Sequence, residues 1–92
     1  MNKNQNWYVY IVRCCDQTLY TGITTDVKRR VDEHNGIVNS HRAAKYTRNR
    51  QPVILAYLEA AESRSTALKR EAAIKKLSKL QKELLIDNSQ KT

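Results

Sequence analysis

Residues 7–14 read WYVYIVRC, an unbroken aromatic and β-branched run with the composition of a buried strand. A chain of 92 residues hides only about three-fifths of its unfolded surface, which leaves one modest core and few spare elements. The polar break Asp16-Gln17 leads to Thr18-Leu19-Tyr20-Thr21-Gly22-Ile23, a second strand candidate. So short a break makes an antiparallel hairpin the expected connection. Thr24, Thr25 or Asp26 can cap the helix VKRRVDEHN, which closes at Gly36. Val27, Arg30, Val31 and His34 share one face of it, with Lys28, Arg29, Asp32 and Glu33 mostly on the other. Arg30 and His34 are therefore expected beside the buried stripe, and Arg29 in water.

From Asn35 to Leu58 the chain carries no acidic residue. This stretch reads as a polar loop holding Arg42, Lys45, Tyr46, Arg48 and Arg50, ended by Pro52. Val53 to Leu58 reads as a third strand, expected at the centre of the sheet. Ser63 or Ser65 caps a helix to about Leu77, and Ser78-Lys79-Leu80-Gln81 has capping-box spacing for a last helix to Ile86. The order is β-β-α-β-α-α in one α/β (α+β) domain over residues 7–86, a three-stranded antiparallel sheet flanked by helices. Residues 1–6 are expected to be flexible and 87–92 frayed.

Seventeen Lys and Arg face nine Asp and Glu, a net charge of +8. That excess favours a polyanionic partner, nucleic acid before others, against the alternative of a solubilising surface. No apolar run is long enough to span a membrane, and residues 1–6 lack the apolar stretch of a signal peptide, so the expected location is the cytoplasm. Cys14 and Cys15 are adjacent, point to opposite faces and lack zinc-site spacing, so both are expected as free thiols.

Glu71 lies on the helical wheel between Ala67, Leu68 and Ile74, so its carboxylate runs along the apolar side. Two readings stand: a Glu71–Lys75 pair worth about 0.2–0.5 kcal/mol, or a carboxylate holding a hard divalent cation. Periodicity by itself favours the pair. Tyr8, Tyr10 and Val12 share one strand face, and Tyr20 and Gly22 share one face of the next. Such tyrosines pack across a hairpin, or offer a hydroxyl to a water or a cationic site. Gly22 would let a phosphate or another backbone approach closely.

Taken together, Tyr8-Val9-Tyr10, Tyr20-Thr21-Gly22, the helix TTDVKRRVDEHN with inward Arg30, and LKREAAIKK with Glu71 resemble the GIY-YIG nuclease superfamily over residues 7 to about 86. The likeness is to small stand-alone bacterial members, close to the nuclease module of SLX-type resolvases. The resemblance implies a metal-dependent endonuclease acting on DNA, in which Glu71 holds one Mg²⁺ or Mn²⁺. It implies that Tyr20 positions or deprotonates the attacking water, that Tyr10 assists, and that Arg30 neutralises charge on the phosphoryl oxygens. His34 orients Tyr20 or touches phosphate, or else is a packing residue at the helix end. The chain departs from the pattern at Tyr8, Thr21 and Ile23. It also lacks the Asn that some relatives place beyond the glutamate helix, offering only Glu83 there.

Arg42, Lys45, Arg48 and Arg50 could track a phosphate backbone, joined by Gly22 and Lys75, with Tyr46 stacking on an exposed base. Lys69, Lys76 and Lys79 read as a solvated helix face. With no appended DNA-reading motif, the expected substrate preference is structural or weakly sequence-specific, by a monomer or with a protein partner that supplies specificity. The rival readings are a non-catalytic nucleic-acid-binding module and a subunit active only in a complex.

Overall fold

A computed structural model describes residues 6–36 and 45–90, with Lys45 by its backbone only. The elements run β1 (Trp7–Cys14), β2 (Leu19–Thr24), α1 (Val27–His34), α2 (Lys45–Arg48), β3 (Val53–Ala61), α3 (Arg64–Lys75) and α4 (Lys79–Ser89). The three strands form one antiparallel sheet in the order β2-β1-β3. The α+β class and the antiparallel hairpin are as expected from the sequence. The centre of the sheet is not: β1 occupies it, and β3 is an edge strand.

The reason lies in what each strand can bury. Val9, Tyr10, Ile11 and Val12 of β1 are almost wholly enclosed, whereas Ile54, Leu55 and Leu58 of β3 remain exposed. On one side of the sheet, Val9 and Ile11 pack with Tyr57 of β3, Ala67 and Ile74 of α3, and Ile86 of α4. On the other, Tyr10, Val12 and Cys14 pack with Val53, Tyr20 and Val31 of α1. An edge strand needs fewer buried side chains, which is why VILAYL tolerates exposure at three of its apolar positions. A register shift between Ile11 and Val12 marks an irregularity in the β1–β3 pairing.

Local chemistry fixes the connections. In the β1–β2 turn Gln17 adopts a left-handed φ of 71°, and the Asp16 carboxylate accepts from the Thr18 amide at 3.1 Å and hydroxyl at 2.6 Å. Asp26 is the residue that caps α1, accepting from the Arg29 amide. Gly36 takes a φ of 72° just beyond the helix end. Ser63, not Ser65, caps α3, and Ser78 with Gln81 forms the expected capping box of α4. That last helix continues to Ser89, so residues 87–89 are helical rather than frayed. Part of the acid-free stretch, read as loop, forms the single turn α2.

Two side chains tie distant segments to the sheet. Arg13 of β1 donates both guanidinium nitrogens to Glu83 of α4, at 2.7 and 2.8 Å, and this holds the Glu83 carboxyl below its usual range. Asn35 pairs with the Val53 backbone in both directions, at 2.7 and 3.0 Å, which locks the end of α1 to the start of β3. Both thiols are free, Cys14 buried and Cys15 exposed, and burial pushes the Cys14 thiol up.

The central position of β1 has a measurable consequence. Ile11→Ala is expected to cost about 2–5 kcal/mol in urea unfolding, while Ile54→Ala on β3 stays within about 0.5 kcal/mol. Equal costs at the two positions would contradict the strand order.

Candidate active site

The candidate residues gather where β2, β1 and α1 meet, with α3 packed alongside β2. Strand register places Tyr10 directly opposite Gly22. The Tyr10 phenol lies across that glycine: a Cβ added at position 22 would sit 2.5 Å from its oxygen and 2.7 Å from Cζ. The space above Gly22 is therefore filled by a side chain of the same molecule. This corrects the expectation that Gly22 admits a phosphate, because its lack of a side chain serves the close approach of Tyr10.

The Tyr10 hydroxyl is the hub of a buried polar chain. It is 2.8 Å from His34 Nε2, and His34 Nδ1 is 2.8 Å from the Thr47 hydroxyl of α2. All three side chains are enclosed. The Arg30 guanidinium, a donor only, also reaches the phenol oxygen. With that oxygen accepting from Arg30, the phenol proton is directed to Nε2, and Nδ1–H donates to Thr47. Burial pushes the Tyr10 hydroxyl up to about 12, against the opposing pull of Arg30, while Tyr20 and Glu71 lie close enough to add to the rise. Burial, with Arg30 nearby, lowers His34 to about 4 although Glu33 opposes it, so the imidazole is neutral near pH 7.

Arg30 is held from the other side by Glu33 at 2.9 Å. Burial by itself would lower the guanidinium pKa, but hydrogen bonds to Glu33 and Tyr10 outweigh it and raise it. Glu33 was expected on the outer face of α1 and is instead buried, with Arg29 at 3.9 Å as a second partner. Tyr20 packs edge-on to His34, with ring centroids 5.2 Å apart, and stacks on Tyr46 at 5.9 Å. Its hydroxyl makes no hydrogen bond among the described residues. His34 thus bonds Tyr10 and touches Tyr20 through its ring.

Glu71, mostly buried at 18 % side-chain exposure, pairs with Lys75 at 3.2 Å. The described residues contain no cluster of three or more His, Cys, Asp or Glu suited to a metal. One carboxylate in a mostly enclosed position fits a hard cation that keeps most of its water and not an all-protein cage. Glu83, bound to Arg13, is committed elsewhere.

The loop cations separate. Arg50 is not free: it bonds Asp16 at 3.1 Å and the Tyr46 carbonyl at 2.8 Å, and lies 4.2 Å over the Tyr46 ring. Asp16 is thus the counter-charge that the acid-free stretch lacks in sequence. Tyr46, engaged by Arg50 and Tyr20, serves first to cover Tyr20. Arg48 is exposed on α2. Arg42 and the Lys45 side chain lie outside the described residues. Sequence reasoning missed Glu33, whose three-residue spacing from Arg30 was a usable signal, and Thr47, which carried none.

Fold and site define a small α+β domain that assembles tyrosine, arginine and glutamate, the groups suited to phosphoryl chemistry, at one edge of its sheet. The GIY-YIG catalytic domain matches residues 6–83, and the chain belongs to this family. A UPF0213 protein of Desulfotalea psychrophila is 54 % identical over 92 % of this chain and 74 % of its own length. One from Halobacterium salinarum is 53 % identical over 85 % of this chain and 96 % of its own. The solution structure of a protein from E. faecalis is 40 % identical, with a TM-score of 0.61 over 100 % of this chain and 95 % of that one. That of a UPF0213 protein from Bacillus halodurans is 44 % identical, with a TM-score of 0.55 over 89 % and 83 %. GIY-YIG is a nuclease domain family whose members generally use a divalent metal, and membership supports nucleic acid as partner. No helix among the described residues is long and apolar enough to cross a membrane.

Two outcomes test this geometry. Gly22→Ala is expected to destabilise by about 1–3 kcal/mol, and most of that cost should vanish when Tyr10→Ala is added, since the cycle removes the obstructing ring. His34 is expected to stay neutral in an NMR titration down to about pH 5. Because its folded pKa lies below the ordinary value of 6.5, the unfolded chain binds the extra proton. Its contribution therefore lowers stability as pH falls from 6.5 towards 4 and is absent above that window. A midpoint near 6.5 in the folded protein would refute the buried arrangement.

Proposed function

We propose that the chain is a divalent-metal-dependent endonuclease that hydrolyses DNA phosphodiester bonds, with low sequence specificity or selectivity for branched, flapped or single-stranded DNA. The supporting observation is that Tyr10, bonded to His34, Arg30, held by Glu33, and Tyr20, packed on His34, gather where β2, β1 and α1 meet, in a chain of the GIY-YIG family. Arg30, kept charged and oriented by Glu33, donates to the phosphoryl oxygens as negative charge grows on them. Tyr20, whose hydroxyl has no partner among the described residues, positions the attacking water or, as the phenolate, takes its proton to become the phenol. Tyr10 keeps its own proton and, through His34 and Thr47, fixes where Arg30 sits. Glu71 would hold Mg²⁺ or Mn²⁺, which when bound would supply Lewis-acid stabilisation of charge on the phosphate. Free Cys14 and Cys15 suit a reducing compartment such as the cytoplasm. The domain works as a monomer or with a partner that adds specificity.

The Glu71–Lys75 pair favours one rival, a nucleic-acid-binding module without catalysis, since that carboxylate already has a cation. Labelled duplex, single-stranded, flap and four-way-junction DNA with Mg²⁺, Mn²⁺ or EDTA separates the two. Metal-dependent cleavage is expected, reduced about 10²–10⁴-fold in Tyr20→Phe, about 10²–10³-fold in Arg30→Ala, and abolished in Glu71→Gln. Binding that persists in EDTA with no cleavage under any condition would establish the binding module.

A further inference from the structure

Beside this site, the tip of the β1–β2 hairpin, α2 and the start of α4 enclose a cavity of about 200 Å³ lined by Thr18, Leu19, Tyr46, Lys79 and Lys82. Among the described residues no acidic side chain lines it. The Tyr46 ring that lines it stacks on Tyr20, so the cavity adjoins one residue of the proposed reaction centre. Its two cations differ. Lys79 donates to the Gln17 carbonyl at 2.8 Å, which fixes its ammonium at the turn. Lys82 is half-buried, and its ammonium makes no ion pair or hydrogen bond among the described residues. Glu83 on the same helix is committed to both nitrogens of Arg13.

Two ammonium groups and a threonine hydroxyl call for an anion rich in acceptor oxygens, and Leu19 and the Tyr46 ring supply apolar wall for a sugar. At about 30 Å³ per water the space displaces roughly six or seven waters, enough for a phosphodiester group. We infer that this cavity holds a backbone phosphate of DNA flanking the one that is cleaved. Lys79, expected from sequence on a solvated face, then belongs with Lys82 to a phosphate subsite. The inference rests on the nuclease reading for its substrate, and on the cavity and its lysines for its location.

Binding of labelled DNA duplex and single strand by the Glu71→Gln protein, measured in EDTA across a salt series, tests the subsite without cleavage. Adding Lys82→Gln is expected to weaken binding three- to tenfold, about one phosphate contact's worth, and to reduce the salt slope by about 0.9 on duplex or 0.7 on single strands. Lys82→Arg should restore the slope. Lys28→Gln, which removes a lysine paired with Asp32, should leave it unchanged. An unaltered slope in Lys82→Gln, or an equal loss in Lys28→Gln, overturns the subsite. Cleavage by the otherwise unaltered chain alongside that result leaves the nuclease reading standing. A reduced slope in a protein that never cleaves supports the subsite and overturns the nuclease. Failure to bind DNA at all overturns both.

Discussion

The Tyr10 phenol can cross β2 only because residue 22 has no side chain, and the polar centre of the domain depends on that crossing. A buried phenol left unpaired would cost about 1–3 kcal/mol. Here it is answered on one side by His34 and on the other by Arg30. His34 can take the phenol proton only as a neutral ring, so its other nitrogen needs an acceptor, which Thr47 supplies from α2. α2 in turn is held to the hairpin tip by Arg50, bonded at once to Asp16 and to the Tyr46 carbonyl. One missing Cβ thus connects strand register to the placement of a helix far along the chain.

Much of the frame was readable because it follows from local rules. The WYVYIVRC run, the short hairpin, the Asp26 cap, Gly36 and the Ser78–Gln81 box depend on residues within a few positions of one another. The position of β3 did not follow, since VILAYL is as apolar as a central strand and only the helices' choice of face decides which of its side chains are covered. The polar chain was half legible. Helical spacing put Arg30 and His34 on one face, but Glu33 was assigned to water because a heptad-style wheel says nothing about an acid drawn inward by a buried guanidinium. Thr47 could not be read at all, because its partner lies thirteen positions earlier in sequence.

The count of seventeen Lys and Arg overstates the cation available to a polyanion. Arg13, Arg30, Arg50 and Arg70 are each bonded to a carboxylate, to Glu83, Glu33, Asp16 and Glu59 respectively. Arg13 meets Glu83 with two nitrogens, and Arg50 spends one nitrogen on Asp16 and another on the Tyr46 carbonyl, uses that suit a planar guanidinium tolerant of partial burial. Lysine, a hydrated point charge on a flexible stem, remains on α3 and α4. Arg50 of the acid-free stretch is therefore already matched by Asp16, and that much of the charge its composition suggests is not free.

The two tyrosines of the motifs are chemically unequal for the same reason. Tyr10 is enclosed, its ionisation is pushed up to about 12, and its proton is committed to a ring that stays neutral until about pH 4. A group so placed cannot accept a proton from water near pH 7, because its oxygen is already occupied by Arg30 and releasing its own proton is opposed by burial. Tyr20 sits differently: it is half-buried, its ring is braced by His34 and Tyr46, and its hydroxyl has no partner among the described residues. The rigid phenol sets the position of the guanidinium, and the braced one keeps an oxygen open to solvent. In the proposed reaction this divides the labour between holding charge and meeting water, and the division comes from burial and not from any difference in residue type.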